Sequence, residues 1–467
     1  MVLASADRVV ANNPHPEDIP QAELLFATET NHDTPANVLD LAVVWQARKP
    51  GTPTPWLNTP EISTQLLAQA ADRLLAAAQG SGADSISARA ALTVAEEDTL
   101  WRARRERGWR VDRNAAHVAR QELEDVIGAS ARNLGLDLTR NNAATLGWLR
   151  AHHVVAELTT NEAGFAELSA SIPDDTTDPQ LQGFLHVRAL GSELNAIRQV
   201  TKHLQAGRLY ATLDINRAAT GRALIRTPNL NAIKRSRRGL LLADAGNELI
   251  SADMQSAEVR VLAALLPTLA VPRDDAAYLR MARTFADEVM STDPYRRIAE
   301  AAGPDVNRDT AKRALVARIY GEGFASLCAR LGADRASRIR RAVDQVYPVI
   351  SQFFERARAQ ALRGESLVTL GGRPLPSLTP ETAYRAANYL VQGSARDAFG
   401  VVMRRAARAF SPEALWLCAH DELIIEVSRG DVTSSASALE ECFAVDLGEG
   451  ILLRGEAQAL GMSWAKA

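Results

Sequence analysis

"CAHDELIIEV", residues 418 to 427, sets the triplet His420-Asp421-Glu422 between two apolar runs, Leu415 to Ala419 and Leu423 to Val427. The runs read as strands, which makes the triplet the tip of a hairpin. Tight hairpin tips favour Asn-Gly or Asp-Gly, because the turn requires positive φ. His-Asp-Glu supplies no such residue. Two readings stay open: turn chemistry alone, or a metal-binding carboxylate held at a strand end, which needs a partner elsewhere.

Asp253 in "ISADMQSAEVR" is that partner. It closes a short strand, "NELISAD" (247–253), ahead of an amphipathic helix, "AEVRVLAALL" (257–266). If the two strands are neighbours in one sheet, Asp253 and Asp421 converge at its edge. Two hard oxygen ligands without histidine or thiolate suit Mg²⁺, which also takes substrate phosphates. A pair of such ions ~3.5–4 Å apart clamps the attacking and leaving oxygens of an in-line phosphoryl displacement. The competing reading of Asp253 is an N-cap ahead of Ala257.

A third segment, "NRDTAKRALVARIYGEG" (307–323), places Arg308, Lys312, Val316 and Tyr320 at steps of four, along one face of a helix. Two cations a turn apart fit a triphosphate tail: arginine grips phosphate oxygens in a fork and lysine acts as a point charge. A solvated cationic face is the alternative. Gly321 offers a helix stop.

The chain has 467 residues, 46% of them hydrophobic, enough for two to four domains. No apolar run approaches the ~20 residues that span a bilayer, and "MVLASADRVVANNPHPEDIP" lacks a signal-peptide pattern. Cys328, Cys418 and Cys442 are too scattered for a zinc cluster or disulfide framework. A cytoplasmic protein without a membrane partner is expected. Net charge is −3, and of 53 basic residues only five are lysine. The arginines cluster in "WRARRERGWRVDR" (101–113), "KRSRR" (234–238), "RIRR" (338–341) and "RRAAR" (404–408). Each run can be a solvated face; several together point to an extended polyanion.

Residues 1–92 are Pro-, Asn- and Thr-rich, then helical at 62–79, with "GSGADS" (80–85) as a linker. From 93 to 210 the periodicity is mostly helical, interrupted by a loop at "IPDDTTDPQ" (172–180). Residues 308–360 are helical and arginine-rich, "SLVTLGGRPLPS" (366–377) is extended or hairpin-like, and 381–410 is a long helical stretch.

The three segments, in this order, resemble the motifs of family A DNA polymerases, the bacterial DNA polymerase I type. That family's Asp-Tyr-Ser-Gln-x-Glu-x-Arg is similar to Asp253-Met254-Gln255-Ser256-Ala257-Glu258-Val259-Arg260. Its Arg-x-x-x-Lys, aromatic, Tyr-Gly series is similar to Arg308, Lys312, Val316 and Tyr320-Gly321, and its His-Asp-Glu to His420-Asp421-Glu422. "ATGRALIRTPNLNAI" (219–233), "TLGGRPLP" (369–376), "NYLVQGSARD" (388–397) and "GMSWAKA" (461–467) resemble further family segments. The likeness runs from about residue 93 to 467.

The resemblance implies an α+β right hand of palm, fingers and thumb with an antiparallel palm sheet. Residues 93–240 would form the thumb and the start of the palm, 241–300 the palm, 301–375 the fingers and 376–467 the closing part of the palm. It implies a DNA-templated DNA polymerase, a monomer taking primer–template DNA, dNTPs and two Mg²⁺ ions, with Mn²⁺ as a substitute. Asp253, Asp421 and the Met254 carbonyl would bind metal. Arg308 and Lys312 would hold the triphosphate, with Lys312 also the proton donor to pyrophosphate. Tyr320 would sit near the templating base. Arg222, Asn229, Asn388, Gln392 and His420 would touch DNA or nucleotide near the primer end, and Glu422 would support the metal site and DNA. Glu258 would crowd the sugar 2′ position and reject ribonucleotides. A catalytically weak DNA-binding homologue and a lesion-bypass or terminal-transfer enzyme are the alternative functions; repair and phage or plasmid replication are the settings it fits.

Two departures stand out. "LLFATET" (24–30) resembles the opening of a 3′–5′ exonuclease, but Ala27 replaces the first metal-binding aspartate and leaves Glu29 alone; two readings of residues 1–92 stay open, a truncated, inactive remnant and a chance similarity, and no proofreading is expected. Val316 stands where the family has Phe or Tyr against the incoming sugar. Val316→Phe would restore the flat surface against which that sugar packs. It is expected to lower the apparent dNTP dissociation constant several-fold in single-turnover extension; an unchanged or higher constant contradicts this.

Overall fold

The computed structural model describes residues 90, 93–94, 96–136, 142–160, 166–172, 176–215, 218–269, 275–419 and 421–465. Ala27, Glu29, the expected helix at 62–79, the linker at 80–85 and His420 lie outside the described residues.

Short α1 (Arg102–Arg107) and β1 (Trp109–Val111) lead into α2 (Arg113–Asn133), whose first turn is capped by the Asp112 carboxylate accepting the Ala115 N–H at 2.9 Å. After α3 (Asn142–Ala151) comes a hairpin of β2 (Val155–Thr160) and β3 (Ala166–Ser171). The next helix, α4 (Pro179–His203), starts at a carboxylate cap, Asp178, and a first-turn proline, which has no N–H to leave unmet. Short strands follow: β4 (Leu204–Gln205), β5 (Arg208–Leu209), β6 (Thr212–Asp214), β7 (Leu224–Arg226) and β8 (Leu241–Leu242). Strand β1 sits between β5 and β8 in a small sheet.

The long strand β9 (Asn247–Met254) then gives way to a helical series: α5 (Ala257–Leu265), α6 (Ala276–Ser291), α7 (Pro294–Ala302), α8 (Arg308–Ile319), α9 (Phe324–Leu331), α10 (Ala333–Val346) and α11 (Pro348–Leu362). Helix α12 (Ala386–Phe410) returns the chain to the hairpin of β10 (Leu415–Ala419) and β11 (Glu422–Ser428). Helix α13 (Val432–Cys442), β12 (Val445–Asp446), β13 (Leu452–Leu453) and β14 (Gly455–Gly461) complete it. The fold is α+β, and its central sheet runs β10-β11-β9-β14, antiparallel throughout.

Apolar burial gathers into three clusters. The first surrounds the central sheet and includes Trp101, Trp109, Ile250, Trp416, Ile424 and Trp464. The second joins α5 to α11 through Leu262, Phe285, Leu315, Ile339 and Phe353. Helix α12 belongs to both: Leu390 and Ala395 lie in the second cluster, Ala398 and Val402 in the first. A rigid helix shared by two cores couples the sheet to the helical series. The third cluster, with Leu149, Leu181 and Phe184, holds α3, the β2–β3 hairpin and the start of α4 together.

The stretch 93–210 is mostly helical, as expected, and it also contains β1 to β5. Strand β1 is three residues long inside an arginine run, too short to show a period, and β2–β3 carries Ala156, Glu157, Leu158, Ala166, Glu167 and Leu168, good helix formers that cross-strand pairing overrides. The arginine runs, in turn, are largely engaged within the protein. Arg104 is 2% exposed and donates to Glu426 at 2.7 Å and to the Leu415 carbonyl at 3.2 Å. Arg105 pairs with Asp98, Arg237 with Glu193, Arg338 with Asp305 and Arg404 with Glu97. Exposed pairs of this kind contribute little, but a buried one is costly to break. Arg104→Met would leave the Glu426 carboxylate without its main buried partner and is expected to lower unfolding stability by about 3 kcal/mol. A loss below about 1 kcal/mol in denaturant titration contradicts this.

Candidate active site

The site is set by strand register. In β11 and β9, Glu422 stands opposite Asp253, Leu423 opposite Ala252 and Ile424 opposite Ser251. Residues directly opposite share a face, so Glu422 and Asp253 lie side by side. The hairpin is tighter than the sequence implies: Glu422 already pairs with Ala419, so it belongs to the strand and not to the tip. The Asp421 carbonyl accepts the Met254 N–H at 3.1 Å, which ties the residue before β11 to the last residue of β9. Asp253 and Asp421 are thereby brought to one edge of the sheet. The capping reading of Asp253 is removed: the residue ahead of α5 is Ser256, whose φ is +51°, and Asp253 remains within β9.

Burial, then the charges of Glu258 and Asp253, push the Asp421 carboxyl up to about 6, with Arg222 pulling the other way. Glu258 lies in the first turn of α5 and accepts the Tyr320 hydroxyl at 2.7 Å. Burial and the same Glu258 charge push that phenol up to about 12. Arg222 donates to the Tyr320 hydroxyl at 3.3 Å, and Asn388 of α12 donates to the Tyr320 carbonyl at 3.3 Å. Tyr320 follows α8, and the chain leaves the helix at Gly321 with φ +89°. Glu258, Tyr320, Arg222 and Asn388 are therefore one hydrogen-bonded group beside the two aspartates.

On α8, Asn307 caps the first turn, accepting the Thr310 N–H at 2.8 Å. Arg308 pairs with Asp293 and reaches Asp309 at 3.5 Å. Lys312 is exposed and lines, with Asp253, Met254, Ser256, Arg235 and Arg260, a cleft of about 820 Å³. Val316 is half-buried, and its carbonyl accepts the Tyr320 N–H at 2.9 Å. Met254 buries its side chain and pairs with Gly455 of β14. Glu422 is buried and accepts the Ser251 hydroxyl, with Arg238 3.8 Å away. A second cleft, of about 520 Å³, is lined by Arg222, Asn229, Gln392 and Arg396. The Asn229 side chain also accepts the Asn231 N–H at 3.0 Å, stabilising the turn that carries it.

Several neighbours carried no local signal. Glu456 and Gln458 enter the first cleft only because β14 pairs with β9, setting Glu456 opposite Asp253. Two buried arginines hold the turn that presents Arg222: Arg396 donates to the Gly221 carbonyl at 2.9 Å and Arg373 to that of Thr220 at 2.8 Å. Arg396 is anchored in turn by Glu97 at 2.6 Å, from far along the chain.

Among the described residues no group of three or more His, Cys, Asp or Glu is arranged to cage a metal ion. The two carboxylates fit a cation that completes its shell with water and substrate oxygens, as Mg²⁺ does. Glu258 and Asp253 add their charges to the rise that burial imposes on the Asp421 carboxyl.

This chain belongs to DNA polymerase family A, whose model matches residues 144–465. It is 27% identical over 234 residues to the DNA polymerase of Mycobacterium phage D29, covering 49% of this chain and 36% of that protein. It is 30% identical over 258 residues to a thermostable DNA polymerase I of Thermus filiformis, covering 51% of this chain and 30% of that one. The chain thus spans about a third of the length of these curated relatives. The fold matches the POL domain of Pol1 from M. smegmatis, solved in complex with DNA primer-template and dNTP, with a TM-score of 0.69, 21% identity and coverage of 91% of this chain and 82% of that one. Among the described residues no helix is long and apolar enough to cross a membrane.

The Asp421 carboxyl titrates near 6 in the fold against an ordinary 3.8, so its ionisation penalises folding above about pH 6 and not below about pH 4. In metal-free buffer at about pH 7.5, Asp421→Asn is expected to raise stability by on the order of 1–2 kcal/mol, the gain fading towards pH 4. A loss of stability, or a gain that ignores pH, contradicts this.

Proposed function

We propose that the chain is a DNA-templated DNA polymerase that extends a primer 3′ end by two-metal phosphoryl transfer, without proofreading. The observation that carries this reading is the meeting of Asp253 and Asp421 at paired strand ends, beside a cleft that also holds Lys312. The central sheet would serve as the palm, the helical series from α6 to α11 as the fingers, and the long helices α2 and α4 with the third cluster as the thumb. Absence of proofreading rests on the sequence alone, on Ala27 in place of an aspartate. A monomer is the working state.

Asp253 and Asp421 would hold two Mg²⁺ ions, or Mn²⁺, with the Met254 carbonyl as a further ligand. Bound there, the ions neutralise phosphate charge and make the primer hydroxyl a better nucleophile. The chain's own contribution is position and charge. Arg308 would exchange Asp293 for the incoming triphosphate, a bidentate partner of higher charge. Lys312, exposed in the cleft, would hold the same tail and donate a proton to departing pyrophosphate. Tyr320, held by Glu258, Arg222 and Asn388, would support the templating position, with Gln392, Asn229 and His420 along the duplex. Glu422 would fix Asp253 from the neighbouring strand. Such reactions depend almost wholly on alignment and electrostatics.

Glu258 would also set sugar choice. Its carboxylate is fixed by the Tyr320 hydroxyl, so its bulk is held in place where a 2′-hydroxyl would need room. The test is extension of a recessed primer with dNTPs or rNTPs. The unaltered protein is expected to copy the template with dNTPs. Glu258→Ala is expected to raise ribonucleotide use by about tenfold or more, while Glu258→Gln, which keeps the bulk, retains discrimination. Tight primer–template binding without any extension would contradict the polymerase reading and favour a DNA-binding homologue; equal ribonucleotide use by Glu258→Ala and the parent would remove the gate.

A further inference from the structure

Glu97 lies ahead of the residues that the family model matches, 144–465, yet its side chain is seated on the long helix α12. It is 0% exposed. Along α12, Arg396, Gly400 and Arg404 recur at steps of four and share one face. The Glu97 carboxylate sits on that face: Oε2 lies 2.6 Å from the Arg396 Nη2, and Oε1 pairs with Arg404. Gly400 makes the room between them, because a Cβ there would collide with the carboxylate. Two guanidinium groups with a glycine between them thus form a socket for one acidic side chain.

The socket leads towards the site. Arg396 is 7% exposed, and its Nε donates to the Gly221 carbonyl at 2.9 Å. That carbonyl shares a planar peptide unit with the Arg222 nitrogen, so holding one orients the other. The same turn is closed by the Gly221 N–H donating to the Ala218 carbonyl at 2.7 Å. Arg373, paired with Asp397 at 2.9 Å, donates to the Thr220 carbonyl at 2.8 Å. Gly221 has φ +83°, a region that glycine enters freely and that lends the turn no stiffness of its own. Stiffness comes from the buried arginines. At the end of these contacts, Arg222 reaches the Tyr320 hydroxyl at 3.3 Å and lines the second cleft. Buried ion pairs are poor sources of net stability compared with apolar packing, so this network calls for another reason.

We propose that Glu97 is a positioning residue for the primer end: through Arg396 it holds the Gly221 carbonyl, and with it the Arg222 guanidinium, beside Tyr320 and the paired aspartates. This rests on the polymerase reading and adds to the site a residue from outside the region that defines the family. The segment before α1 is then part of the working module.

Glu97→Gln tests the proposal. Glutamine offers one acceptor oxygen in place of two and sets an NH₂ group against a guanidinium. Glu97→Gln, Arg222→Ala and the double variant are compared in single-turnover primer extension, at a temperature where circular dichroism shows each to be folded. In the parent background Glu97→Gln is expected to lower the maximal rate by about tenfold. The apparent dNTP dissociation constant is expected to stay within about twofold, because Arg308 and Lys312 lie outside the network. In the Arg222→Ala background the same change is expected to cost less than about twofold, the non-additivity of residues that act through one contact. Arg396→Met keeps the Glu97–Arg404 pair and removes the donor to Gly221. It is expected to reproduce both results, and it carries the test if Glu97→Gln does not fold. Equal fold-losses in the two backgrounds mark a purely structural role and overturn the inference, as does a loss below about twofold in the parent background. No extension by the unaltered protein overturns the polymerase reading and this inference with it.

Discussion

The register between β9 and β11 governs the site. With Glu422 opposite Asp253, the hairpin preceding Glu422 delivers Asp421 to the end of β9, where its carbonyl takes the Met254 N–H. Strand faces alternate with a period of two, so a slip by one residue would turn Asp253 away from Glu422 and put its neighbours in its place. The sheet resists such a slip because β10, β11 and most of β9 are buried, Ile250, Ala252, Leu423, Ile424 and Ile425 each at 0% exposure. Apolar packing over the whole sheet thus fixes two carboxylates at the joined strand ends.

That edge is electrostatically unfavourable in the free protein. Burial, and after it the charges of Glu258 and Asp253, push the Asp421 carboxyl up to about 6. Of the nearby cations, Arg308 is held by Asp293 and Arg222 by Tyr320, while Lys312 stands exposed in the cleft. Substrate and metal would relieve both halves of this arrangement, which is what a preorganised site is expected to show. The arginine runs serve the scaffold instead. Arg104 on Glu426 and Arg396 on Glu97 and Gly221 lock the sheet and the Arg222 turn.

Much of this was legible in the chain. Strand β9, helix α5, the β10–β11 hairpin and α8 follow from apolar periodicity, and the residue types at their ends announce a carboxylate pair and a cationic helix face. The hidden part was tertiary. Nothing near Glu456 says that β14 lies against β9, and nothing near Glu97 says that it anchors Arg396. Likewise, the run at 101–113 reads as a cationic surface until Arg104 is seen to be buried, because composition cannot distinguish an ion pair from a solvated charge.

The most direct measurement is a Mn²⁺ titration followed by electron paramagnetic resonance, on the protein bound to primer–template and a non-hydrolysable dNTP. About two tightly bound ions per chain are expected, with Asp253→Asn and Asp421→Asn each abolishing tight binding while the DNA remains bound. Two ions retained in the double variant, or no tight ion in the parent complex, would contradict a metal site at the joined ends of β9 and β11.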